Sequence, residues 1–176
     1  MTDYLPGDVL TVWDPVRPVP AWLIRVGGWL RGHRSGCDHV VVVHHQDAAG
    51  TWWGIEGRPG GVGWVDLAKY PHVTSSNAGQ PKTDGQRAEI SAVMEGLLGT
   101  PYDWAGIVAD AMQALRIQFL WRTKDFGDAA PGHVVCSSVA DWATEHVGLA
   151  SPDGLLGTRW TTPPVWEEFN LRADWS

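Results

Sequence analysis

Apolar and polar positions along the chain change period several times, and each change predicts an element. Gly7-Asp8-Val9-Leu10-Thr11-Val12-Trp13 reads as a strand that follows a turn. Asp14 to Pro20 is rich in breakers, and Pro20 suits the first turn of a helix with Trp22, Val26, Trp29 and Leu30 on one face. His39-Val40-Val41-Val42-Val43-His44-His45 is a continuous apolar run, as expected of a strand covered on both sides. Asp47 to Gly50 is a turn, and Thr51 to Glu56 is the return strand of a hairpin. Gly57 to Gly61 reads as a loop and Val62 to Leu67 as another short strand, while Thr74 to Gly85 is a polar connection rich in turn formers.

Helical spacing then takes over. Thr83 and Gln86 stand in a capping-box relation ahead of Ile90, Val93, Met94 and Leu97, with Gly99 as the stop. Gly99 to Trp104 is a tight turn into a further helical run, roughly Trp104 to Leu120, and Trp121 to Gly132 is a second polar connection. After Pro131-Gly132, the positions Val139, Trp142, Ala143, His146 and Val147 recur on one helical face up to Gly148. Ser151 to Ser176 is loop-like, apart from a short helix at Val165 to Phe169.

Composition narrows the function classes. A chain of 176 residues that is 44% hydrophobic is expected to form one domain with a real core. Its net charge of −7 argues against general nucleic-acid binding, and no apolar run approaches a membrane span. The first residues lack the basic and apolar regions of a signal peptide, so the expectation is synthesis in the cytoplasm. Two cysteines, neither in a C-x-x-C pair, suit neither a disulfide framework nor a zinc site. The twelve tryptophans read mainly as packing, and Arg17, Arg25, Arg31 and Arg34 as a solvated basic face or a patch for an anionic substrate.

The chemistry worth testing begins at Cys136. In the first turn of a helix, unpaired N–H groups and the dipole favour a thiolate, the nucleophilic form of cysteine. The competing reading is a buried structural cysteine. A thiol hydrolase also needs an imidazole and a group to orient it. With Asp47 to Gly50 as the turn, Gln46 faces Thr51 and Val41 faces Glu56, so His39 and Glu56 become diagonal neighbours on one face of the sheet. A slip of one residue moves Glu56 to the other face. Asp38 is the alternative orienting carboxylate, and Cys37 the rival thiol, expected to be packed or turned away.

The order Gly7-Asp8-Val9-Leu10, Asp38-His39-Val40, Ile55-Glu56, Pro101-Tyr102-Asp103 and Val135-Cys136-Ser137-Ser138 resembles the circularly permuted NlpC/P60 cysteine peptidases, the YiiX-like branch of the papain-like superfamily. The resemblance covers roughly Gly7 to Gly148, with Gly99-Thr100-Pro101-Tyr102 echoing that family's Gly-x-Pro-Tyr turn. The chain departs from the family at Asp38, where a serine is common, and at Ser137-Ser138-Val139, where Ser-Glu-Leu is common.

The resemblance implies an α+β papain-like domain, a small antiparallel sheet packed on a helix that begins at Cys136. Its core would span about 7–148 and a C-terminal extension 149–176. Cys136 becomes the nucleophile, His39 the base and Glu56 the orienting group, with Tyr102 and Ser137 near the oxyanion or substrate cleft. No metal or organic cofactor is required. The implied activity is amide hydrolysis, first of all on peptidoglycan stem peptides. The Trp- and Arg-rich, Lys-poor composition suits a GC-rich bacterial genome or its phage, where a wall hydrolase would serve lysis or a tail tip and meet virion or homo-oligomeric partners. Two alternatives stand beside it: a lipid-directed acyltransferase or amidase with an apolar groove at Trp22, Trp29 and Trp104, and a non-catalytic structural or binding module, which a buried Cys136 or one far from His39 would favour.

Overall fold

The computed structural model describes residues 4–13, 36–102, 136–152 and 162–172. The helices expected at Pro20 to Leu30 and at Trp104 to Leu120 lie outside these residues, as do the four arginines and the three tryptophans of the expected apolar groove.

The strands are β1 (Val9–Val12), β2 (His39–Gln46), β3 (Trp52–Arg58), β4 (Gly61–Asp66) and β5 (Val73–Ser76). They form one sheet in the order β4-β3-β2-β1-β5, with every neighbouring pair antiparallel. A 3-10 turn, Leu67–Lys69, follows β4, and three helices are described: α1 (Asp84–Gly96), α2 (Cys136–His146) and α3 (Pro163–Arg172). The protein is thus mixed α+β with a small antiparallel sheet. Among the described residues no helix is long and apolar enough to cross a membrane.

Alternation along the valine run assigns the two faces of the sheet. Val40 and Val42 join Val9, Ile55 and Val62 in a cluster with side chains of all three helices, among them Ile90, Val139 and Phe169. Val41 and Val43 join Leu10, Val12 and Val65 in a second cluster that Leu67 and Tyr70 cover from the other side. The expectation of a strand buried on both faces is therefore met, by helices on one side and by the chain after β4 on the other.

Local chemistry explains the ends of the elements. Thr83 Oγ1 accepts the Gln86 N–H at 3.2 Å while Gln86 Oε1 accepts the Thr83 N–H at 2.9 Å, which is the expected capping box. Gly148, at φ +70°, closes α2: its N–H bonds Glu145 O and the Leu149 N–H bonds Thr144 O, the paired bonds of a Schellman end.

Three expectations need correction. Residues 74–76, expected in a polar connection, belong to strand β5, because β1 offers Thr11 as a polar partner: its hydroxyl lies 2.9 Å from Thr74 Oγ1 and 2.6 Å from Ser75 Oγ. The short helix expected at Val165 to Phe169 is present but longer than expected, running over Pro163–Arg172. Pro163 and Pro164 start a helix where their missing N–H groups cost nothing, and Trp166 and Phe169 are fully buried. Burial of Phe169 alone is worth about 2 kcal/mol. On α2, Trp142 and His146 are exposed and stack on each other, 5.6 Å between ring centroids. The buried stripe runs through Cys136, Val139, Ala140 and Ala143, so both aromatic side chains fall off its edge.

Candidate active site

His39 is the first residue of β2, lying opposite Val12 of β1. Its Nε2 meets Glu56 Oε2 at 2.7 Å, and both residues are buried. The diagonal pairing expected from the hairpin is present, but the route to it differs. At the turn Gln46 pairs with Trp52 rather than Thr51. Asp47 and Thr51 close the loop instead, with Gly50 at φ +88°. A bulge at His44 then absorbs one residue, so that Val43 faces Gly54 and Val42 faces Ile55. Continued one step, that register sets Val41 against Glu56. Gly54 permits the close approach of the strands: a Cβ there would lie 2.6 Å from Val41 Cγ1 and 2.9 Å from the Val42 carbonyl.

Because His39 stands at the end of the sheet, groups from both faces reach its ring. From the helical side comes Cys136, the first residue of α2, which shares a hydrogen bond with His39 and also bonds the Val40 main chain and the Tyr102 side chain. With Nε2 committed to Glu56, Nδ1 is the ring nitrogen that remains for the thiol. Tyr102 is presented by the Gly99-Thr100-Pro101 turn, which β4 holds through Val62 N–H to Thr100 O and Gly99 N–H to Val62 O, each 2.9 Å. Gly61, at φ +106°, passes so close that a Cβ would meet Thr100 O at 2.8 Å.

The electrostatics follow from these contacts. Burial disfavours a charged His39, but the Cys136 charge and hydrogen bond, with those of Glu56, outweigh it and raise the pKa to about 9. Burial pushes the Cys136 thiol up, while the His39 charge and hydrogen bond, the Val40 main chain and the Tyr102 hydroxyl pull it down further, so the thiol ends below its ordinary value. Burial likewise opposes the Glu56 charge, yet the bonds from His39 and Tyr70 and the Lys69 charge hold its pKa at about 2. The arrangement favours a thiolate beside an imidazolium, braced by an ionised carboxylate.

Of the five residues expected in the site, four meet: Cys136, His39, Glu56 and Tyr102. Ser137 follows Cys136 in α2 with its side chain buried and its carbonyl accepting Trp166 Nε1–H at 3.2 Å, which leaves its backbone N–H as its contribution to the helix start. Asp38 is buried next to His39, but the carboxylate bonded to the imidazole is that of Glu56. Cys37 is fully buried, and neither cysteine is in a disulfide. Among the described residues no group of three His, Cys, Asp or Glu is placed to hold a metal ion.

Sequence reasoning missed Tyr70 and its neighbours. Tyr70 donates its hydroxyl to Glu56 Oε2, and Lys69 Nζ and Arg58 Nη1 stand 3.6 and 3.9 Å from Glu56 Oε1. No periodicity marks Tyr70. The one available signal was a tyrosine beside an apolar run, whose buried hydroxyl must find a partner. Compared with known proteins, the chain matches no family model, no curated protein and no solved structure.

Proposed function

We propose that this chain is a cysteine hydrolase that cleaves amide bonds through an acyl-enzyme. The supporting observation is the hydrogen-bonded series Cys136–His39–Glu56, with 2.7 Å between His39 Nε2 and Glu56 Oε2 and the thiol held below its ordinary pKa. The Cys136 thiolate attacks the amide carbon, a C–S bond forms, and the carbonyl electrons move to oxygen. The first N–H groups of α2, Ser137 included, are aligned to hold that oxyanion. As the C–N bond breaks, the His39 imidazolium gives its proton to the leaving amine. His39 then takes a proton from water, the hydroxide attacks the thioester, and loss of the C–S bond returns the thiolate and releases the acid. Glu56 keeps the imidazole in the Nε2–H tautomer and stabilises its charged form.

The resemblance to permuted NlpC/P60 peptidases makes peptidoglycan stem peptides the first substrate class. One observation favours a different reading, a non-catalytic module: Cys136 is only 4% exposed. Against it stands the lowered thiol pKa, since a cysteine that is merely buried is raised. Mass spectrometry of wall-peptide digests, with wild type and Cys136→Ala side by side, tests the proposal. New amine and carboxylate termini with wild type alone support it; identical digests from the two proteins contradict it.

A further inference from the structure

Glu56 stands between two claims. On Oε2 it takes the imidazole N–H of His39 at 2.7 Å, and on Oε1 it faces the Lys69 ammonium at 3.6 Å and the Arg58 guanidinium at 3.9 Å. Both cations are within ion-pair range but beyond a good hydrogen bond. An ammonium that closed on this carboxylate would gain a charge-assisted bond and draw it from His39.

The Tyr70 hydroxyl stands between Lys69 and Oε2, the carboxylate oxygen that His39 uses. Lys69 Nζ donates to the Tyr70 hydroxyl at 3.0 Å and also lies 4.7 Å from the centre of its ring. An ammonium can only donate, so the tyrosine oxygen is its acceptor and the single hydroxyl proton points to Glu56 Oε2. The bonds therefore run in one direction, from Lys69 to Tyr70 to Glu56, with His39 donating to the same carboxylate oxygen. Tyr70 is 4% exposed, and its ring lies 5.9 Å from the imidazole.

We propose that Tyr70 is a positioning residue whose hydroxyl keeps Lys69 off Glu56 Oε2 and thereby reserves that oxygen for His39. This rests on the cysteine-hydrolase reading for its effect on turnover, but not for its effect on the thiol. Among the described residues, the charged and titratable groups facing the pair are Cys136 on α2, with Tyr102 on its sulfur, Arg58 on β3, and Lys69 and Tyr70 after β4; Asp38 immediately precedes His39.

The experiment measures the pH dependence of Cys136 alkylation by iodoacetamide in wild type, Tyr70→Phe, Lys69→Met and the double variant, with thermal melts to confirm folding. In Tyr70→Phe the ammonium closes on Glu56, the imidazolium loses its brace, and alkylation at slightly acid pH falls about threefold or more as the thiol pKa rises. Removing Lys69 as well takes away the nearer competitor, leaving only the more distant Arg58, and the profile returns to within about twofold of wild type. On a cleaved peptide, Tyr70→Phe lowers kcat about tenfold with KM unchanged. An unchanged alkylation profile in Tyr70→Phe, or a double variant as impaired as the single one, overturns the proposal. Should Tyr70→Phe fail to fold, Lys69→Met decides: a loss of thiol reactivity as large as that of Glu56→Gln would mean that the ammonium, not the hydroxyl, holds the carboxylate. Absence of peptide cleavage by wild type would remove the hydrolase reading yet leave the alkylation result intact.

Discussion

Among the described residues two ionic clusters are held in the interior, and they are built to opposite ends. In one, Asp8 receives Lys82 Nζ at 3.0 Å and Arg87 Nη1 at 2.9 Å on one oxygen and the Leu5 N–H at 2.9 Å on the other. Lys82 places further bonds on the Asn77 carbonyl and side chain, and Arg87 on the Pro6 carbonyl. This cluster ties the turn before β1 to the start of α1 and to the end of β5. Burial lowers the Lys82 pKa and the Asp8 charge opposes that, but the cluster holds no nucleophile. In the other, the His39 pKa is raised and the Cys136 pKa lowered by their contact, while Glu56 stays ionised. Burial of charge therefore does not distinguish a site from a clamp. A nucleophile and a base whose pKa values are driven toward each other do.

The comparison is broken most severely by removing the nucleophile. Cys136→Ala should lower amide hydrolysis by at least about 10³-fold, with an unchanged melting profile, as read by product mass spectrometry and calorimetry. The clamp should behave in the reverse way. Asp8→Ala leaves two buried cations without their carboxylate and should cost about 3–5 kcal/mol of stability in urea unfolding, while turnover per folded molecule is preserved. A loss of turnover without a loss of stability would mean that the two clusters are coupled.

Substitutions of equal shape sharpen the contrast inside the site. Glu56→Gln keeps an acceptor but removes the charge that stabilises the imidazolium, and steady-state kinetics should show a fall in kcat of about 10²-fold or more. Asp38→Asn should change kcat by less than about threefold, because the imidazole is bonded elsewhere. The reverse result would make Asp38 the orienting group.

Acidification reads the same carboxylate through stability. A carboxylate held at about 2 in the fold against 4.5 ordinarily adds stability that is complete above 4.5 and is lost as pH falls toward 2. Chemical unfolding of wild type over that interval should show the loss, and Glu56→Gln should show a shallower dependence. Equal slopes would mean that the fold does not lower the Glu56 pKa.

How much of this was legible in the sequence depended on the kind of signal. Period-two alternation and a turn were enough to bring His39 to Glu56, but the assumed pairing of Gln46 with Thr51 was wrong at the turn, and the bulge at His44 restored the register further in. That bulge has no apolar signature, since His44 and His45 sit in a polar, outward stretch. The capping box at Thr83 and the stop at Gly148 were readable because they depend on residues close in sequence. Strand β5 was not, because Thr74 and Ser75 make hydroxyl bonds to a distant Thr11, Ser76 pairs with Leu10, and the three carry no apolar alternation. Tyr70 was invisible for the same reason: its role exists only once β3 has placed Glu56 beside it.

The central claim is that His39 and the start of α2 make Cys136 a thiolate near neutral pH, and the most direct test follows alkylation of each cysteine by peptide mapping across pH 5 to about 9 in wild type and His39→Ala. The account predicts that Cys136 in wild type reacts well below the ordinary thiol range of about 8.5, that His39→Ala shifts its profile upward, and that Cys37 is labelled only after unfolding. Identical Cys136 profiles in the two proteins, or preferential labelling of Cys37 in the folded state, would contradict it.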